Sequence, residues 1–267
     1  MSKFSLYLLA FTILLSSCSS GTSSSNAGPV SSDDEHPASP SQAPNEDIIP
    51  SADSVSLSAQ VAKPYEVAGF VRLTDVVPDV ILEMRYYTTY NFVGDRIDGY
   101  EAPVALCTRE AAVALQKAST LLRKQGYRIK IFDAYRPQMA VDHFMRWVKD
   151  LSDTAMKPFF YPDIPKSQIM PQIYLSRHSG HTRGSTFDLT LVDESTGREV
   201  DMGGSFDFLG ERSHYTYIYI TDEQRKNRQL LRDAMTASGF RPLPHEWWHF
   251  TLRNEPYPDT YFAFPVL

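Results

Sequence analysis

Two short stretches concentrate the side chains able to do chemistry. "SGHTRGSTFDLTL", Ser179 to Leu191, carries His181 and, across a turn that Gly184 permits, Asp188 inside an otherwise apolar strand. "HEWWHF", His245 to Phe250, offers His245, Glu246 and His249. Imidazole nitrogens and carboxylate oxygens suit a hard or borderline metal. A catalytic zinc site typically takes three protein ligands and keeps a fourth position for water. His181, Asp188 and His249 would make such a set. Glu246 would remain as the base for a water whose pKa the ion brings to about 7. Each stretch alone also has an ordinary structural reading: a lone histidine is usually a satisfied structural residue, and "EWWH" can be core aromatics with an edge histidine. Three ligands and a base from two short segments are harder to reach by accident.

"DAYRP", Asp133 to Pro137, adds Arg136 at the end of a strand. A guanidinium there could stabilise an oxyanion developing on a substrate carbonyl. It could equally be paired with Asp133 or with a helix carboxylate, and the sequence leaves both readings open.

The elements that must hold these residues are legible in the hydrophobic pattern. Thr108 is placed to cap a helix with Ala111, Leu115, Ala118 and Leu122 on one face, ended by Gly126. "YRIKIFD" alternates as a strand. A helix follows Pro137, with Val141, Phe144, Met145 and Val148 at helical spacing; His143 and Trp147 on it read as packing or surface residues. "TFDLTLVD" reads as a strand with Phe187, Leu189 and Leu191 toward the core and Asp188 and Thr190 on the other face. Thr221 with Gln224 forms a capping box for a third helix ending near Gly239, and "WWHFTL" is a further strand. On a regular strand Glu246 and His249 point to opposite faces, so Glu246 is expected at the strand entry, where irregular backbone turns it toward the metal. Helices and strands without regular βαβ alternation predict an α+β fold, a mainly antiparallel central sheet flanked by helices.

The chain has 267 residues, 42% of them hydrophobic, enough for one ordinary domain with a sizeable core. Its net charge is −6 and no segment gathers Lys and Arg, which argues against nucleic acid as a partner. With only Cys18 and Cys107 there is neither a disulfide framework nor a cysteine-rich zinc site; Cys107 reads as a small buried hydrophobe. Lys3 and the apolar run Phe4 to Leu15 have the length of a signal-peptide core, and Leu15-Ser16-Ser17-Cys18 resembles a bacterial lipobox. Residues 1–17 are therefore expected to be a lipoprotein signal peptide. Residues 18–62, rich in Ser, Pro and Asp, are expected to be a lipidated Cys18 and a flexible tether. The catalytic domain is expected over 63–267. The membrane would be met only through the anchor on Cys18, with the enzyme in the cell envelope, facing the periplasm or the surface.

Taken together, "SGHTRGSTFDLTL", "HEWWHF", "DAYRP", "DGYE" (Asp98–Glu101), "MGGSFDFLGERSH" (Met202–His214) and "RNEPYPDTYFAFPV" (Arg253–Val266) resemble the D-alanyl-D-alanine dipeptidases. These are zinc peptidases of the Hedgehog/DD-peptidase superfamily that include the vancomycin-resistance dipeptidases. The resemblance runs from about Phe70 to the C-terminus. It implies one Zn²⁺ per chain on His181, Asp188 and His249, Glu246 as general acid/base, and Arg136 on the scissile carbonyl oxygen. It further implies that Asp207 pairs with the ammonium of a small D-amino-acid dipeptide, and that Tyr100 and Ser179 lie at its carboxylate. Some members carry a second serine where this chain has Gly180, a departure at the carboxylate end of the pocket. The implied reaction is hydrolysis of D-Ala-D-Ala to two D-alanines. Its rivals are a D,D-carboxypeptidase or endopeptidase acting on peptidoglycan stem peptides, and a surface lipoprotein that binds wall fragments or protein partners without catalysis.

Overall fold

The computed structural model describes residues 62–170 and 174–267. The apolar run at Phe4–Leu15, Cys18 and all of the Ser/Pro-rich stretch but Ala62 lie outside the described residues. In chain order the elements are α1 (Pro64–Val67), β1 (Phe70–Arg72), α2 (Leu73–Val76), β2 (Ile81–Leu82), β3 (Leu106–Thr108), α3 (Arg109–Arg123), β4 (Tyr127–Asp133), α4 (Gln138–Trp147), α5 (Lys157–Phe160), β5 (Thr186–Asp193), α6 (Asp222–Ala237), β6 (Phe240–Leu243) and β7 (Glu246–Leu252). The main sheet has the order β2-β4-β5-β7-β6, antiparallel except for the β2–β4 pair, and β1 pairs with β3 apart from it. The fold is α+β, as the pattern of elements predicts.

Local chemistry explains the two long helices. The Thr108 hydroxyl accepts the Ala111 amide at 3.4 Å and starts α3, whose stripe of Ala111, Leu115, Ala118 and Leu122 is fully buried. At α6 both arms of the capping box close, Thr221 Oγ1 accepting the Gln224 amide at 3.2 Å and Gln224 Oε1 accepting the Thr221 amide at 2.8 Å. The helices pack on each other, α3 on β4 and α6 on β6 and β7. Phe187, Leu189 and Leu191 of β5 are fully buried in the same core, each such side chain contributing about 1.5–3 kcal/mol. Cys107, on β3, is buried with them.

The opposite face of β5 is not open. Asp188 and Thr190 are only 2% and 1% exposed, because the segment from Val200 to His214 covers that face, with Phe206 stacked on Phe132 at 4.7 Å. Arg228 of α6 fastens this segment. Its Nε donates to the Met202 carbonyl at 2.6 Å, Nη1 to His214 at 3.0 Å and Nη2 to Arg212 at 2.8 Å. A buried guanidinium with all three nitrogens on carbonyls is costly to remove, since each carbonyl then loses a charge-assisted donor. Arg228→Met is expected to lower the unfolding free energy by about 3 kcal/mol in denaturant titration. A loss below about 1 kcal/mol would mean that water re-satisfies the three carbonyls.

Candidate metal centre and active site

Three ligand atoms converge above the middle of the sheet. Asp188 on β5 and His249 on β7 are direct register partners, and Asp188 Oδ1 lies 3.0 Å from His249 Nδ1. His181 comes from the short 3₁₀ turn Gly180–Arg183 that leads into β5, and that turn ends at Gly184 with φ 81°, a left-handed conformation that suits glycine. His181 Nε2 is 3.2 Å from both Asp188 Oδ2 and His249 Nδ1. Mutual separations near 3.2 Å are those of ligands held about 2.0–2.1 Å from one tetrahedral ion. The tautomer agrees. His181 Nδ1 is 2.8 Å from the Ala134 carbonyl, which can only accept, so Nδ1 carries the proton and Nε2 presents its lone pair to the centre. The two imidazoles and one carboxylate therefore fit a borderline divalent metal. Burial pushes the Asp188 carboxyl up, but His181 and His249 outweigh it and hold it well below the usual carboxylate range.

Glu246 stands at the entry of β7, where the β6–β7 register shifts between Pro242 and Leu243. The irregularity brings Glu246 Oε2 to 3.5 Å from His249 Nδ1, although the two residues would face apart on a regular strand. Burial and the charge of Asp188 push its carboxyl up to about 7, against the opposing pull of His249 and Arg136. A carboxyl poised near neutrality is suited to taking and returning a proton.

Arg136 follows β4 and is paired with Asp133, one of the two sequence readings, while it lines the same cavity as the ligand set. Its Nε and Nη2 each lie 2.9 Å from Asp133 Oδ2, while Nη2 also reaches to 3.5 Å from Asp188 Oδ2. The guanidinium covers the Tyr86 ring at 4.9 Å. Asp133 thus aims Arg136, and its other oxygen accepts the Tyr100 hydroxyl at 2.6 Å.

One cavity of about 420 Å³ gathers most of the anticipated residues: Ser179, His181, Asp188, Asp207, Glu246 and His249 with Arg136. Ser179 lies at its edge and accepts the His181 amide at 3.2 Å. Tyr100 is the exception. It is fully buried behind Asp133 and does not line the cavity, so it acts on the site through Asp133. The tyrosine that does line it is Tyr86, whose hydroxyl donates to Asp207 Oδ2 at 2.8 Å. Nothing local in "EMRYYTTYNF" separates Tyr86 from Tyr87 or Tyr90; only the tertiary fold selects it. Asp207 has φ 58°, the one non-glycine residue with positive φ among the described residues, a conformation that aspartate tolerates better than most. Burial, and next the charge of Asp188, push its carboxyl well above the ordinary range. Without a cation beside it, this buried carboxyl favours its protonated form.

The sequence is similar to proteins whose names agree with this site. A family model described as D-ala-D-ala dipeptidase matches residues 66–267. The D-alanyl-D-alanine dipeptidase of Enterococcus faecalis is 42% identical over 198 residues, 74% of this chain and 98% of that protein. Those of Streptomyces coelicolor and Escherichia coli are 38% and 34% identical over 197 and 182 residues, covering 74% and 68% of this chain and 98% and 83% of those proteins. With the match running through every strand of the sheet and every residue of the metal centre, this chain belongs to the D-Ala-D-Ala dipeptidase family.

Proposed function

We propose that the chain hydrolyses free D-Ala-D-Ala to two D-alanines, with one zinc ion per chain on His181, Asp188 and His249. The observation that carries this reading is the common cavity. A three-atom ligand set, a carboxyl poised near neutrality, a buried guanidinium and a cation-seeking Asp207 all face the same space. When bound, zinc would supply a Lewis acid for the scissile carbonyl and the means of ionising a water at neutral pH.

The chain's own residues do the rest. Glu246 takes the proton of the attacking water and returns it to the leaving amine nitrogen. Arg136, aimed by Asp133, donates to the oxygen on which negative charge develops, and its partial burial strengthens that contact. Asp207, oriented by the Tyr86 hydroxyl, pairs with the substrate ammonium and fixes which peptide bond is presented. An N-acylated peptide offers only a neutral amide there, and leaves a buried carboxyl without its partner.

We also propose that Cys18 carries a lipid and that the enzyme works in the cell envelope at the end of its tether. The apolar run, the Leu-Ser-Ser-Cys junction and the polar composition of the following stretch support this. Cys18→Ala is expected to move the protein from the membrane pellet to the soluble fraction; retention in the pellet would refute the anchor.

The decisive measurement is release of D-alanine from the free dipeptide and from N-acetyl-D-Ala-D-Ala, with and without chelator. Release from the free dipeptide alone, abolished by chelator and restored by zinc, is expected. Release from the acetylated peptide would place the enzyme with the D,D-carboxypeptidases instead. Glu246→Gln is expected to lower turnover by at least about 10²-fold while metal content stays at one ion per chain. Near-normal turnover in that variant would remove Glu246 from the proton path.

A further inference from the structure

The cavity differs in charge from side to side. Tyr86, Asp207 and Arg136 lie on the side of β4, the strand from which Asp133 anchors Arg136. On the other side β6 brings Arg241 into the lining. Arg241 pairs with Thr251 across the β6–β7 ladder, so the two side chains leave the same face with Cβ atoms roughly 5 Å apart. Thr251 follows His249 by two residues and shares its face, its Oγ1 lying 3.5 Å from His249 Nε2. In the order β4-β5-β7-β6, Arg241 therefore stands one strand beyond a metal ligand, away from Asp207.

The local charge count leaves this guanidinium unspent. Arg183 uses its fork on Glu255, with Nε to Oε2 and Nη2 to Oε1 both at 2.8 Å. Arg241 Nη2 reaches the same carboxylate only at 3.7 Å, with its side chain 57% exposed. Two guanidiniums share one carboxylate, and among the described residues Arg241 has no other ion pair. One positive charge is left facing the cavity.

We propose that Arg241 is a specificity residue that binds the terminal carboxylate of the substrate, beside Thr251 and Ser179; this rests on the dipeptidase reading. A dipeptide with its ammonium at Asp207 and its peptide bond over the ligand set, between β5 and β7, extends its carboxylate toward β6. The geometry also gives Gly180 a context. A Cβ there would meet Thr186 Oγ1 at 3.0 Å and Arg183 Nη2 at 3.5 Å, so a side chain at this position crowds the pocket wall, and Arg241 supplies the contact instead.

The test compares D-Ala-D-Ala with its C-terminal amide, D-Ala-D-Ala-NH₂, on the wild-type and Arg241→Gln enzymes. Binding of both ligands is measured in parallel by calorimetry in a Glu246→Gln background. Arg241→Gln is expected to raise KM for the free dipeptide about tenfold, to leave kcat within about twofold and to leave the amide unchanged. Arg241→Lys should recover part of the loss, because it restores the charge without the fork. A KM change below about twofold, or an equal effect on both ligands, would overturn the proposal. Should the wild type cleave neither ligand, the hydrolytic reading falls and the calorimetry still decides. Weaker binding of the free dipeptide alone in the Arg241→Gln protein upholds the carboxylate contact; equal binding of the two ligands, or no binding, overturns it.

Discussion

The register pairing of Asp188 with His249 is the constraint on which the site depends. A carboxylate on a central strand, almost without solvent, must be paired. Asp188 is paired on one side by the imidazole across the ladder, on the other by His181, and at longer range by Arg136. A one-residue slip between β5 and β7 would send either side chain to the helix-covered face and dissolve the ligand set. The hydrophobic alternation of Phe187, Leu189 and Leu191 therefore does more than fill the core. It fixes the register that makes the metal centre.

The charge around that pair is out of balance, and the imbalance describes what the cavity takes in. Asp133, Asp188, Asp207 and Glu246 are all buried or nearly so, and the obligatory cation among them is Arg136. With neutral imidazoles the four carboxylates and one guanidinium carry three negative charges in excess. The protein alone relieves this by pushing Glu246 and Asp207 toward their protonated forms. A divalent metal and a substrate ammonium together bring three positive charges. Across β6, Arg183, Arg241 and Glu255 leave one positive charge for a carboxylate. These are the complements that the proposed contacts give the two ends of a zwitterionic dipeptide.

Much of this was legible in the sequence. The caps at Thr108 and Thr221, the strands "YRIKIFD" and "TFDLTLVD" and the antiparallel character of the sheet follow from local pattern and turn chemistry. The ligand types are legible because two short segments together offer three ligands and a base, and the strand-entry irregularity at Glu246 follows from period-two geometry and its neighbouring prolines. The rest depends on tertiary placement. Tyr86 and Tyr100 are both buried tyrosines, and only the path of the chain between β2 and β3 decides that Tyr86 touches Asp207 while Tyr100 props Asp133. Arg241 looks like a surface residue of an edge strand until the order β4-β5-β7-β6 sets it beside the cavity. Asp188 lines a cavity, as strand alternation leads one to expect, but the segment held by Arg228 that covers the neighbouring part of this face is not legible in the sequence.

In the proposed envelope location, the balance of charge also bears on how the enzyme shares a compartment with peptidoglycan. The cavity, at about 420 Å³, is roomy and open to solvent along its rim, where Arg241 is half-exposed. Size alone is a weak filter in so open a cavity, since one extra methylene even in a hydrophobic pocket changes binding by only about 1–3 kcal/mol. Asp207 is a stronger one. It is 6% exposed, has a left-handed backbone conformation and accepts from Tyr86, so its carboxyl has little access to water. On the proposed function, a stem peptide acylated at that nitrogen leaves the Asp207 carboxyl without its ammonium partner, and a site built around a polar partner rejects the analogue lacking it far more sharply than a hydrophobic pocket does. On the proposed function, exclusion of acylated peptides then follows from one buried carboxyl and the Tyr86 hydroxyl that holds it.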